Sequence, residues 1–136
     1  MNAATPLDAH LDAPIAKWLD LSASTDGAGA LYQLTFHEHH IGNPAIRAIH
    51  GGVVAALLEN AAQGALIEKT GTKGPIETVN IDVDYLRSTR AENMFARARI
   101  LRLGRRVAFA EAYCWQHDEA QPSAVARLRL RPPMVQ

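Results

Sequence analysis

Ala48-Ile49-His50-Gly51-Gly52-Val53-Val54-Ala55-Ala56-Leu57-Leu58-Glu59-Asn60-Ala61-Ala62-Gln63-Gly64-Ala65-Leu66-Ile67 is the stretch around which the chain must be organised. From Val53 to Ile67 its Ala and Leu content predicts a helix of about four turns. That helix is apolar on nearly every side, so it must be enclosed. Glu59 stands near its middle, where an ionised carboxylate without a partner is costly enough to capture a proton or to require a use. Its neighbours at three- and four-residue spacing are Ala55, Ala56, Ala62 and Gln63, small or polar groups that leave room beside it.

Beyond the helix, Thr70 to Pro75 is a turn cluster that stops it. Glu77 to Leu86 alternates strictly, with Val79, Ile81, Val83 and Tyr85 against Thr78, Asn80, Asp82 and Asp84, as a half-buried strand would. Met94 to Leu103 alternates too, but its phase slips at Ile100-Leu101, which predicts a bulge. Gly104-Arg105 reads as a hairpin turn into a strand from Arg106 to His117, and Asp118 to Pro122 as a turn into Ser123 to Arg131.

Before the helix, Ile41 to Arg47 is a loop with glycine, asparagine and proline. Ala30 to His37 is expected to be the first strand, Ser22 to Gly29 a loop of small residues, and Pro14 to Leu21 a helix of one or two turns. Residues 1–12 show no periodicity and read as a loose arm. His37-Glu38-His39-His40 has metal-ligand chemistry, but no second ligand pair of characteristic spacing follows, so a solvated strand end is expected and no metal site. One strand, a long helix and four meandering strands suggest an α+β domain in which a curved antiparallel sheet wraps a central helix.

The 136 residues suit a single domain spanning 1–136, able to build a core without disulfides or metal. Lys and Arg (14) balance Asp and Glu (14), which gives no electrostatic case for nucleic acid or an anionic membrane. Ten of the eleven arginines lie from Arg87 onward, so an anion-binding surface belongs to the second half. The single cysteine, Cys114, fits a reducing compartment, and with no apolar leader the expectation is a soluble, cytoplasmic protein.

Asn43, then Ile49-His50-Gly51-Gly52 with Glu59 nine residues after the histidine, then Val79 to Arg87, then Leu103 to Glu111, together resemble the PaaI-like acyl-CoA thioesterases of the hotdog fold. The likeness runs from about Leu31 to the end of the chain. It implies hydrolysis of an acyl-CoA thioester with no cofactor, coenzyme A being part of the substrate. It also implies that Glu59 is general base or nucleophile, that the Gly51 backbone N–H holds the oxyanion, and that Thr78 helps position water. Asn43 corresponds to a residue that touches the substrate carbonyl or water in that family, although it lies seven rather than six residues before the histidine. His50 is then expected to shape the turn, with a role as base as the alternative.

Gly52 and Gln63 border the same face and are expected beside the substrate. Arg87, Arg105 and Arg106 are the arginines best placed for the phosphates of coenzyme A, whereas Arg97, Arg99, Arg127, Arg129 and Arg131 read as solvated strand faces. From Gly51 to Glu59 a helix rises roughly 12 Å, too far for both to grip one thioester carbon. Two copies with antiparallel central helices would bring one helix start beside the other Glu59, so a homodimer or a dimer of dimers with shared sites is expected. Two other readings stand beside hydrolysis: a non-catalytic acyl-CoA or acyl-carrier binding module, and a hydratase or dehydratase.

Overall fold

The computed structural model describes residues 5–73 and 75–133. Residues 1–4 of the expected arm, Gly74 of the turn cluster and the last three residues lie outside them. In chain order the elements are α1 (Pro6–Leu11), α2 (Pro14–Leu19), β1 (Leu21–Asp26), β2 (Gly29–Leu34), a short 3₁₀ turn (Glu38–His40), β3 (Ile41–Asn43), β4 (Ala48–Ile49), α3 (Gly51–Thr70), β5 (Glu77–Tyr85), β6 (Met94–Leu103), β7 (Ala108–Trp115) and β8 (Ala124–Arg131). Six strands form one antiparallel sheet in the order β1-β2-β6-β7-β8-β5, and β3 and β4 form a separate ribbon.

α3 lies across this sheet because the strands beneath it leave space. The inward residues of β7 are Ala108, Ala110, Ala112 and Cys114, all buried and all small, so the helix can sit close while Leu57, Leu58, Ala61, Ala62 and Leu66 fill the interface. At Gly64 a side chain is impossible as packed, since an added Cβ would come within 2.1 Å of the Tyr32 hydroxyl. β8 alternates cleanly, with Ala124, Ala126, Leu128 and Leu130 buried against the helix. α3 ends at Gly71, which is in the left-handed region at φ 66°, as the turn cluster predicts.

Several expectations are corrected. Residues 6–11 of the arm are helical: Thr5 and Asp8 close a reciprocal cap, Leu7 and Leu11 pack on the core, and His10 Nε2 lies 3.0 Å from the Asn60 carbonyl oxygen. The small-residue loop contains strand β1, paired along its length with β2. The last four strands do not simply meander, because β5 pairs with β8 at the sheet edge and β6 sits between β2 and β7. Two bulges break the alternation. The one at Leu101 is the expected slip, whereas the one at Val79 was hidden by a sequence that alternates perfectly. Arg97 is not solvated: it is 9% exposed and ties Asp26 of β1 to Glu119.

The histidine-rich run is a 3₁₀ turn rather than a strand end, and His40 is fully buried. Its Nδ1 accepts the His37 N–H at 3.1 Å, while His39 and His40 both direct Nε2 at the Trp18 carbonyl oxygen, at 2.8 and 3.3 Å. Among the described residues no three His, Cys, Asp or Glu side chains come together to hold a metal ion.

Candidate active site

The start of α3 is built by His50 and the glycines after it. His50 is the N-cap, its Nδ1 accepting the Gly52 N–H at 2.8 Å, and its carbonyl accepts from Val53 and Val54. With Nδ1 an acceptor, the neutral ring carries its proton on Nε2, so that nitrogen is not a base in this arrangement. Gly52 is required by this cap, since a Cβ there would lie 2.9 Å from the imidazole Nδ1. Of the first four N–H groups of the helix, the one on Gly51 has no acceptor among the described residues. It is exposed at the positive end of a twenty-residue helix.

The strip of α3 left open by the sheet runs Gly52, Ala55, Ala56, Glu59, Gln63; the first is exposed and the others are partly exposed, while Val54, Leu57, Leu58, Asn60, Ala61 and Ala62 are buried. Glu59 therefore leaves the core on a face where Ala55, Ala56 and Gln63 are its partly exposed neighbours. One turn further on, Gln63 Nε2 donates to the Thr78 hydroxyl at 3.0 Å and to the Ile76 carbonyl at 3.1 Å. The Val79 bulge makes this contact possible. It places Thr78 opposite Leu130, on the same face as Ile81 opposite Leu128, so the threonine turns toward the helix instead of alternating away from it.

On the β5 side of the helix start, Ile49, Gly51, Val54, Tyr85, Arg87 and Thr89 border an open cleft of about 390 Å³. The Tyr85 hydroxyl donates to the Gly51 carbonyl at 2.7 Å and pins the first turn of α3 to the end of β5. Arg87 is exposed on the rim, its Nε donating to the Pro122 carbonyl at 3.3 Å. Arg105 and Arg106 are exposed in the β6–β7 hairpin, at the opposite end of the sheet: Leu103 pairs with Ala108, Ala108 with Leu130 and Leu130 with Thr78, seven residues along β5 from Tyr85. One chain thus does not gather its three candidate arginines. Asn43 is spent locally, its Oδ1 accepting the Ala45 N–H at 3.1 Å in an exposed turn.

A family model described as the acyl-CoA thioesterase N-terminal domain matches residues 39–130, from the histidine turn to the end of β8. The chain belongs to the acyl-CoA thioesterase family. It is similar to the medium/long-chain acyl-CoA thioesterase YigI of Escherichia coli K12, 33% identical over 94 residues, which are 60% of this chain and 59% of the relative. The chain thus spans about three fifths of that relative's length. Among solved structures, a thioesterase-superfamily protein superposes with a TM-score of 0.84 at 26% identity, covering 94% of this chain and 96% of the other. The E. coli PaaI protein of the phenylacetic acid degradation operon superposes at 0.74 with 18% identity, covering 92% and 88%, a likeness of fold. The expected hotdog fold and the acyl-CoA thioesterase family are thereby both shown, and the likeness to PaaI is one of fold.

Within this thioesterase domain, Gln63 and Thr78 are hydrogen-bonded, with Glu59 one turn before Gln63 on the helix, and His50, Gly51 and Gly52 form the helix start. Asn43 lies across the β3–β4 ribbon from Ala48, two residues before His50, while the Arg105–Arg106 hairpin lies at the Thr78 end of the sheet, with β7 and β8 between it and β5. Sequence reasoning gave Tyr85 no place at the site, although it is 55% exposed and its hydroxyl holds the helix start. The only available signal was its position at the end of the alternating strand, just before Arg87.

Proposed function

We propose that this chain hydrolyses acyl-CoA thioesters, with Glu59 as general base on water or as nucleophile. The carrying observation is the placement of Glu59 on a partly exposed strip of α3 between buried residues, flanked by alanines that leave room for a substrate. In the general-base form Glu59 takes a proton from water as the water oxygen bonds to the thioester carbon. The carbonyl oxygen becomes an oxyanion, which the Gly51 N–H of a second copy would receive. The C–S bond then breaks, the electron pair leaves with sulfur, and the proton passes to the thiolate to give coenzyme A and the free acid. In the nucleophilic form the carboxylate makes the first bond and water resolves the resulting anhydride. Thr78 suits the water-positioning role, because its oxygen already accepts from Gln63 and its O–H is left to donate.

A second copy is part of this reading. Gly51 and Glu59 of one chain lie roughly 12 Å apart along the helix axis. Antiparallel pairing across the β5 edge, where Val79, Tyr85 and Leu86 are exposed, would put the helix start of one chain near Glu59 of the other. The same operation brings the Arg105–Arg106 hairpin of one copy toward Arg87 of the other, which would assemble the phosphate-binding set that one chain lacks. The reaction draws on no cofactor. Substrates of the medium/long-chain class named for the E. coli relative are proposed here as well, and a reducing, cytoplasmic setting fits the lone buried thiol of Cys114.

Thiol release from a panel of aliphatic and aromatic acyl-CoAs tests the reading. Turnover of at least one straight-chain member is expected. Acyl-CoA binding without turnover of any member would instead establish a non-catalytic binding module.

A further inference from the structure

We propose that the cleft between α2 and the start of α3 is the acyl-chain site, that it takes an unbranched aliphatic acyl group of medium length, and that Trp18 is its outer wall. This rests on the thioesterase reading above and adds to it where the acyl group lies. The cleft holds about 330 Å³ and is bordered by Ile15, Trp18, His39, Ile41, Val53 and Ala56. No Asp, Glu, Lys or Arg lines it. The cleft on the other side of the helix start carries Arg87, Ser88, Thr89 and the Tyr85 hydroxyl.

The helical wheel places Glu59 between the two clefts. At 3.6 residues per turn, Ala55 is about 40° to one side of Glu59 and Ala56 about 60° to the other. Ala55 and Gly51 lead toward β5 and the polar cleft; Ala56 and Val53 lead toward α2 and the apolar one. A thioester held between Glu59 of one copy and the Gly51 N–H of the other therefore has the second copy's polar slot beside its carbonyl for the nucleotide-bearing arm, and the first copy's apolar slot, which begins one turn back at Ala56, for its acyl group.

Trp18 is held as a wall. His39 and His40 both donate to its carbonyl, and the His39 ring packs 4.5 Å from the indole, centroid to centroid. This gives the His37–His40 run a purpose that metal binding does not. Even so, Trp18 is 46% exposed and Ile15 50% exposed, a fixed pair of large apolar side chains whose outer surfaces meet nothing among the described residues.

Length and volume agree on the occupant. From Glu59 back to Gly52 the helix spans about 10 Å, and an extended chain of single bonds advances about 1.2 Å per bond, so about eight bonds fit. The cleft, about 330 Å³ and open on its outer side, has room for a chain of that length.

The test uses CoA thioethers carrying straight alkyl groups of 4 to 16 carbons, with affinities measured by calorimetry on the full chain and hydrolysis of the matching thioesters followed in parallel. Parent affinity is expected to climb to about 8 carbons and then level. In Trp18→Ala the ratio of ten-carbon to four-carbon affinity falls about tenfold, as expected for losing contact with nearly two methylenes. Ala56→Leu, which fills the floor of the cleft on a partly exposed helix face, should shift the best length downward. Equal losses at all lengths, or none, overturn the assignment. If no thioester is turned over yet thioether binding keeps this length dependence, the hydrolase reading fails and the acyl site stands; turnover with length-independent binding has the opposite meaning.

Discussion

His50 and Gly52 form a cap that works only as a pair, because the imidazole accepts the Gly52 N–H across the space a side chain would fill. Replacing His50 by Asn, another good N-cap, should preserve hydrolysis within about threefold and cost less than about 1 kcal/mol of stability. A loss of a hundredfold or more would place the imidazole in the chemistry. A second residue-scale case is Tyr32, whose buried hydroxyl has no hydrogen-bond partner among the described residues. Burial also pushes its pKa up, with Glu68 adding to the effect. Tyr32→Phe should therefore leave the melting temperature unchanged or raise it, whereas Gly64→Ala, which must displace that same ring, should lower stability by about 1–3 kcal/mol. A destabilised Tyr32→Phe would show that the hydroxyl is satisfied after all. The position of Glu59 among small neighbours on the long helix, and of His50 at its start, was legible in the sequence, since helix periodicity and capping follow from local residue types. The Tyr85 bond to Gly51 was not, because it joins residues 34 apart through a fold that had first to be known.

At the scale of elements, β6, β7, β8 and α3 were legible because each carries its own periodicity. β1 was not: Leu21–Asp26 has one buried residue and otherwise small or polar ones, so its pairing with β2, rather than its pattern, makes it a strand. The Val79 bulge was invisible for a related reason, since an alternating sequence records side-chain type but not register. Arg97 shows what secures β1. Its guanidinium contacts both Asp26 oxygens at 2.7 and 3.0 Å and Glu119 at 3.0 Å, and Glu119 also accepts from Tyr113. Those partners hold the guanidinium well above its ordinary pKa, the Asp26 bond first. Because Asp26 and Glu119 keep access to water, Arg97→Met should cost about 2 kcal/mol rather than the full penalty of a stranded buried charge. Calorimetry should show a drop of about 5–10 °C in melting temperature, with β1 amides losing hydrogen-exchange protection first. Unchanged β1 protection would mean that another contact holds the strand.

For the whole molecule, acid sensitivity follows from one buried imidazole, His40, and one half-buried one, His10. Burial holds His10 and His40 below the usual histidine pKa, against the opposing pull of the Asn60 and Trp18 carbonyls. As pH falls through about 6.5, the unfolded chain takes up protons that the native state refuses. The stability that the two groups contribute is complete above that pH and is lost on acidification, down to their lower native pKa values. His10→Gln removes one such group, so the variant should become progressively more stable relative to the parent between pH 7.5 and 5.5; a difference in melting temperature that stays constant over that range would contradict this. The central claim, hydrolysis through Glu59 in a site that two copies complete, is tested most directly by steady-state thiol release from the best straight-chain acyl-CoA with the parent protein and with Glu59→Gln. The amide keeps the shape but can neither accept a proton from water nor attack the thioester, so kcat should fall by about a hundredfold to ten-thousandfold while acyl-CoA affinity and the association state persist. A Glu59→Gln protein that keeps near-parental kcat would contradict the account and leave Glu59 a structural carboxylate.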